Sequence, residues 1–137
     1  MRELKRLGNN TRESGAFLVG KKGSRKISSY LPYTMFDPNC LDSGIVRFSS
    51  NGQVRLSKYC REHNLTVLAD VHTHPGSSTQ QSYADKTHPM VNRKGHIAYI
   101  IPFYAKGMWP LFSGVSFYEY QGDFEWTKAM KPKITLL

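Results

Sequence analysis

The apolar positions of this chain fall mostly in short strand-like runs, with a single long stretch at helical spacing. Ala16 to Gly20 (AFLVG) predicts a first strand, and Lys21-Lys22-Gly23-Ser24 is a turn signal after it. Lys26 to Leu31 predicts a second strand, antiparallel to the first by hairpin logic. Tyr33 to Ser43 (YTMFDPNCLDS) is rich in turn formers and reads as a loop, with Met35 and Phe36 exposed or half-buried. Gly44 to Ser49 predicts a third strand. Leu56, Tyr59, Cys60 and His63 stand at i, i+3, i+4 and i+7, which predicts a helix over Asn51 to His63. Ser49, Ser50 or Asn51 can cap its start, and Asn64 can end it in the left-handed conformation. His63 on that stripe is expected to pack or hydrogen-bond rather than bind metal.

Leu65 to Val71 (LTVLADV) is apolar and β-branched and predicts the next strand, ended by Pro75 and Gly76. A small, polar loop over Gly76 to Gln81 leads to a helical turn, Ser82 to Thr87, closed by Pro89. His96 to Tyr104 and Gly114 to Tyr120 are strong strand patterns, and Phe124 to Lys128 is a last strand or the start of a closing helix. Residues 1–12 make a short amphipathic start broken by Gly8-Asn9-Asn10, and the terminal KPKITLL takes no assignment. Strands dominate, and the helix from 51 precedes the central strand. The expected fold class is therefore α/β (α+β) and three-layered, with a sheet flanked by helices.

Length and charge narrow this picture. At 137 residues the chain is expected to form one domain, 1–137, with one core. The longest nearly apolar run, Ile97 to Ala105, is interrupted by Pro102 and too short to span a bilayer, and the basic start lacks the apolar stretch of a secretory signal. Cys40 and Cys60 are too few for a disulfide framework, so a reduced, cytoplasmic setting is the default, with Cys60 in the core. Nineteen basic against ten acidic residues give +9, and eight of the bases lie between Arg2 and Lys26. Such a balance steers acidic partners or is simply a solvated surface. Nucleic acid is not favoured, because aromatic and basic residues do not interleave as in single-strand binders.

The candidate chemistry sits at the end of the central strand. His72 and His74 are two apart on a strand and emerge on one face. Asp85 follows eleven residues later, within reach of a loop and one helical turn. Two imidazoles and a carboxylate suit a three-ligand catalytic zinc site with the fourth position left to water or substrate. A lone His-x-His is a weak signal and often only solvent-facing or hydrogen-bonded. Ser82, one helical turn before Asp85, and Glu13, shortly before an apolar strand ending in Gly20, add weight. Ser82 can cap the short helix, act as a hydrogen-bond donor to an oxyanion, or both. Thr73 faces away from the histidines. Asp70 shares the His72 face and either orients an imidazole or is an ordinary loop-edge acid. His88 could approach the metal, but the ligand set is complete without it.

Glu13, His72-Thr73-His74-Pro75, Ser82 and Asp85 together resemble the signature of the JAMM (JAB, MPN-plus) metalloproteases: Glu, a long gap, His-Ser/Thr-His, seven residues usually opening with Pro, then Ser-x-x-Asp. The family's upstream Glu-x-x-Gly-x-Leu-x-Gly is matched in part. Leu18 and Gly20 are in register, while the first Gly falls one place early, at Gly15, with Ala16 in its usual position. The resemblance covers residues from about 12 to 126, although family members usually carry a longer helix before the glutamate.

This resemblance implies a curved mixed sheet flanked by helices, JAMM/cytidine-deaminase-like, with Zn2+ held by His72, His74 and Asp85 at the sheet edge. It implies that Glu13 is the general base and Ser82 the oxyanion donor of an isopeptidase or peptidase. The substrate would be the amide after the C-terminal glycine of a ubiquitin-like protein, its extended tail added against a sheet edge. The span from Asp85 to His96 is short, so the second insertion of lysine-linkage-selective eukaryotic relatives is absent, as in a minimal prokaryotic member. Among prokaryotic roles, a ubiquitin-like conjugation pathway in antiviral defence is preferred over sulfur-carrier processing and phage tail assembly. A non-catalytic scaffold and a DNA-associated relative are the readings outside enzymology. The opening metal motif of PHP phosphoesterases and amidohydrolases is also similar to Asp70-Val71-His72-Thr73-His74, but a (β/α)₈ barrel needs upwards of ~200 residues.

Overall fold

The computed structural model describes residues 2–9, 11–106, 114–130 and 135–136. Its elements are α1 (Arg2–Gly8), β1 (Gly15–Lys21), β2 (Lys26–Ile27), β3 (Ser29–Pro32), α2 (Ser50–Glu62), β4 (Leu65–Thr73), α3 (Tyr83–Thr87), β5 (Ile97–Ile101), β6 (Ser116–Gly122), β7 (Glu125–Ala129) and β8 (Thr135–Leu136). Six strands form a mixed sheet in the order β3-β1-β4-β5-β6-β7; β4 and β5 are parallel and the other neighbours antiparallel. β2 and β8 make a separate parallel pair. The fold is mixed α and β with apolar packing on both faces of the sheet, as the strand-rich pattern predicts.

The two faces carry different cores. Leu56 and Cys60 of α2 pack with Phe17, Val19, Leu31, Tyr33 and Val67 on one side. Leu4 of α1 packs with Ala16, Ala69, Val71, Ile97 and Tyr99 on the other. A bulge in β4 reconciles these assignments: Leu18 pairs with Ala69 but Val19 pairs with Val67, so Leu68 has no partner across the ladder. One extra residue reverses the alternation. Val67 and Asp70 thereby point to the same side, and His72 emerges over the α2 face. Without the bulge the strand would have to place either Val67 or the histidine pair on the wrong face.

Local chemistry sets the element ends. Ser49 caps α2, its hydroxyl accepting from the Gly52 N–H at 3.1 Å, while Asp37 accepts from the Ser49 N–H at 2.8 Å. Asn64 ends the helix at φ 53°, as its short polar side chain permits. His63 stacks on Tyr59 with ring centroids 4.0 Å apart, so it packs as expected. Phe124 to Lys128 belongs to a strand, β7, rather than a helix. Asn10, part of the predicted break after α1, lies outside the described residues.

Four expectations need correction. Gly44 to Ser49 forms no strand: it opens on a bend with Gly44 at φ 85°, and its amides turn to other partners, Val46 N–H to the Glu13 carboxylate and Arg47 N–H to the Cys40 carbonyl. Lys26 to Leu31 is not one strand; Lys26–Ile27 pairs with β8 and Ser29–Pro32 with β1. Phe36 is buried, with Tyr59 edge-on at 5.5 Å, whereas Met35 beside it is exposed. The strand predicted from His96 to Tyr104 stops at Ile101, since Phe103, Tyr104 and Ala105 all adopt positive φ.

Gly15 is required where it stands. A Cβ there would meet Cε2 of Tyr33 at 2.2 Å and the Val71 carbonyl oxygen at 2.6 Å. Gly15→Ala should therefore destabilise the protein by roughly 1–3 kcal/mol, the usual cost of overpacking. Gly76→Ala, whose Cβ would meet nothing within 4 Å, should stay within about 0.5 kcal/mol of the parent. Denaturant midpoints of the two variants check this, and equal midpoints would contradict the close packing at Gly15.

Candidate metal centre

Strand pairing assembles the site from distant parts of the chain. Gly15 of β1 lies opposite His72 of β4, which brings Glu13, two residues before Gly15, to the end of β4 that carries the histidines. Thr73, on the opposite face, accepts from the Ser14 N–H at 3.0 Å and donates its own backbone N–H to the Ser14 carbonyl, locking the two segments together. The loop after β4 is held down at several points. Thr79 Oγ1 contacts Ser116 Oγ at 2.7 Å, Tyr118 donates to the Thr79 carbonyl, and Trp126 Nε1 donates to the Lys86 carbonyl. Gln53 of α2 donates to the Met90 carbonyl at 2.6 Å. These bonds fix α3 and with it Asp85.

Asp85 turns back onto both histidines. His72 Nε2 is 3.2 Å from Asp85 Oδ1, His74 Nε2 is 3.2 Å from Asp85 Oδ2, and the two ring nitrogens are 3.2 Å apart. Each residue thus offers one ligand atom to a common point, and no fourth His, Cys, Asp or Glu joins them among the described residues. Tetrahedral zinc with bonds of about 2.0–2.1 Å requires ligand atoms roughly 3.3 Å apart. The donor set and its spacing fit zinc, with one coordination position not supplied by protein.

The remaining ring nitrogens face the protein. His74 Nδ1 lies 3.2 Å from the Ser78 carbonyl, which leaves its Nε2 facing Asp85 and His72. His72 Nδ1 is buried without a hydrogen-bond partner, its nearest anionic atom being Asp70 Oδ2 at 3.8 Å. Asp70 is no loop-edge acid. It is 1% exposed, accepts from Tyr33 O–H at 2.6 Å and is 2.6 Å from His96 Nε2.

Burial opposes ionisation of Asp70, but the imidazoles of His72 and His96 outweigh it and bring the pKa down to about 2. Burial likewise works against Asp85, and the two histidines beside it hold it far below the usual carboxylate range. Burial also disfavours a charge on His72; the carboxylates of Asp70 and Asp85 prevail and raise it to about 10.

Glu13 is half-buried before β1. Its Oε2 accepts from the Val46 N–H at 3.3 Å, and its own N–H donates to the Gly44 carbonyl. Burial raises its pKa, while His72 and His74, close enough to act on its charge, pull the other way. Ser82 caps α3: its hydroxyl oxygen accepts from the Asp85 N–H at 3.1 Å, and Asp85 Oδ2 accepts from the Ser82 N–H at 2.7 Å. The Ser82 hydroxyl hydrogen has no acceptor among the described residues and remains able to donate. His88 is exposed and 2.9 Å from Thr87 Oγ1, outside the ligand group.

A cleft of about 520 Å³ opens beside Asp85, lined by Val46, Phe48, Tyr83, His88 and Met90. A second hollow of about 360 Å³ lies by Lys22, Arg61 and Leu65, at the start of β4 and therefore roughly 25 Å from the histidines at strand rise. The first adjoins the candidate chemistry; the second does not.

Residues 4–109 match the family of prokaryotic homologues of the JAB domain. The chain belongs to that family. The fold is also similar to the solution structure of protein DSY2949 from Desulfitobacterium hafniense, at 14% identity and a TM-score of 0.56, over 99% of this chain and 88% of that one. Among the described residues, no helix of this JAB-domain chain is long and apolar enough to cross a membrane.

Tyr33 and His96 escaped the sequence reading. Tyr33 lies in a stretch that reads as a turn-rich loop and His96 at the head of an apolar run, and neither carries a local signal of a shared carboxylate.

Zinc added to the protein should bind at about one ion per chain, and His74→Ala or Asp85→Ala should abolish stoichiometric retention. Because His72 is protonated near neutral pH without metal, zinc uptake should release a proton. Titration calorimetry in buffers of different ionisation enthalpy reads this directly. The raised His72 pKa also stabilises the chelator-treated protein fully below 6.5, a contribution lost as pH rises through about 10. Its melting temperature should fall over that alkaline window, and a flat profile would contradict the assignment.

Proposed function

We propose that this JAB-domain chain is a zinc metallopeptidase that hydrolyses the amide bond after the C-terminal glycine of a ubiquitin-like protein. The observation that carries this reading is the convergence of His72, His74 and Asp85 on one point, at the end of β4 to which the pairing of Gly15 with His72 brings Glu13. A family scaffold that lacks chemistry has no need for a complete ligand set and an adjacent half-buried acid. When bound, zinc supplies a Lewis acid that acidifies water and polarises a carbonyl.

The protein's own groups do the rest. Glu13 takes a proton from the attacking water. The hydroxide oxygen adds to the carbonyl carbon, and the C–N bond breaks as Glu13 returns the proton to the departing amine. Burial suits Glu13 to this exchange, because it raises a carboxyl pKa toward the range where it can both accept and give a proton. The unused hydrogen of Ser82 donates to the oxygen that becomes negative in the addition step.

The cleft beside Asp85 suits an extended, narrow tail. Val46, Arg47 and Phe48 line it on one side, and a diglycine end would lie along their side chains, because the Val46 and Arg47 amides are already engaged. Resemblance to bacterial relatives supports conjugation in an antiviral pathway of the cytoplasm as the setting, with sulfur-carrier processing or phage tail assembly as alternatives.

Glu13→Gln should keep about one zinc per chain and lose at least about 10²-fold in cleavage of a ubiquitin-like fusion, the contribution typical of a general base. Ser82→Ala should lose about 10²–10³-fold in kcat through the missing donor. Cleavage at the parent rate by Glu13→Gln would remove the proposed base; no cleavage of any ubiquitin-like fusion by the zinc-loaded parent would remove the substrate class.

A further inference from the structure

Three buried residues outside the ligand set meet behind His72. Asp70, Tyr33 and His96 are each 1% exposed or less, and both carboxylate oxygens of Asp70 are engaged: Oδ1 by His96 Nε2 at 2.6 Å, Oδ2 by Tyr33 O–H at 2.6 Å. Such a cluster is not explained by stability. Buried ionic networks are often neutral or worse than apolar residues of the same volume. What distinguishes this one is its position. Asp70 Oδ2 is the carboxylate oxygen nearest His72 Nδ1, at 3.8 Å, and that nitrogen has no hydrogen-bond partner among the described residues. The opposite nitrogen, Nε2, points at His74 and Asp85. His74 is built on the same plan, with Nε2 toward the cluster and Nδ1 toward a protein oxygen, the Ser78 carbonyl.

We infer that Asp70, clamped from both sides by Tyr33 and His96, is a positioning residue that holds the His72 ring with its Nε2 lone pair directed at the metal. The two clamps matter because a carboxylate on a strand has two free torsions. With Oδ1 tied through His96 to the residue just before β5 and Oδ2 tied through Tyr33 to the turn after β3, the side chain cannot swing away from His72. Gly15 belongs to the same device: any Cβ there would strike the Tyr33 ring, so the glycine lets Tyr33 cross β1 to reach Asp70. Partners behind a ligating histidine fix its tautomer and orientation, and their loss commonly weakens metal binding about 10–100-fold.

This inference rests on the zinc-site reading, and its test separates the two. Zinc affinity is measured by competition with a chromogenic chelator, and the ligand field by the visible spectrum of the cobalt(II)-substituted protein. The parent, Asp70→Asn and the core control Leu56→Ala are compared. If the parent itself binds neither ion, the zinc-site reading fails. If the parent binds, Asp70→Asn should bind about 10–100-fold more weakly with a shifted cobalt spectrum. Leu56→Ala should melt lower yet keep the parent's affinity and spectrum. Parent-like affinity and spectrum in Asp70→Asn would overturn the inference, as would an equal loss of affinity in Leu56→Ala. Should Asp70→Asn fail to fold, Tyr33→Phe takes over, since it removes one clamp and keeps the carboxylate. A shifted cobalt spectrum then supports the inference and an unchanged one overturns it.

Discussion

Backbone pairing between β1 and β4 is the constraint on which the site depends. It sets Gly15 against His72 across 57 positions of sequence, and the reciprocal bonds between Ser14 and Thr73 close the last rung. A shift of one residue would turn Glu13 and the histidines to opposite faces, because side chains alternate along a strand. The bulge at Leu68 makes this pairing compatible with the core. It allows the first half of β4 to bury Val67 under α2 and the second half to present Asp70 and His72 on that same face.

Asp85 reaches the histidines by a different principle. Its helix, α3, has only five residues, too short to be stable alone. The reciprocal bonds between Ser82 and Asp85 stabilise its first turn, and those same two side chains are the ones the proposed chemistry would use. The helix cap and the proposed chemistry share atoms without conflict. Asp85 spends Oδ2 partly on the Ser82 amide while keeping both oxygens within 3.2 Å of an imidazole nitrogen, and Ser82 accepts with its oxygen while its hydrogen stays free.

Charge is distributed against the overall balance. The chain carries +9, yet three of its ten acidic residues, Glu13, Asp70 and Asp85, surround the histidine pair. A local excess of carboxylates in a partly desolvated site favours a divalent cation far more than the net charge disfavours it, because short-range interactions in low dielectric outweigh screened surface charge.

The sequence by itself determined the strand ending in His72 and His74, the helix before it, the capped turn carrying Asp85 and the family these residues mark, since each is written in local periodicity and spacing. It could not settle Gly44 to Ser49. Those residues have strand propensity, and only the folded chain shows their amides taken by Glu13 and by the Cys40 carbonyl. Nor could it choose between an orienting and an incidental Asp70. Burial of that carboxylate against Tyr33 and His96 joins three segments that are remote in sequence, and contacts of that kind arise from packing, which local pattern does not encode.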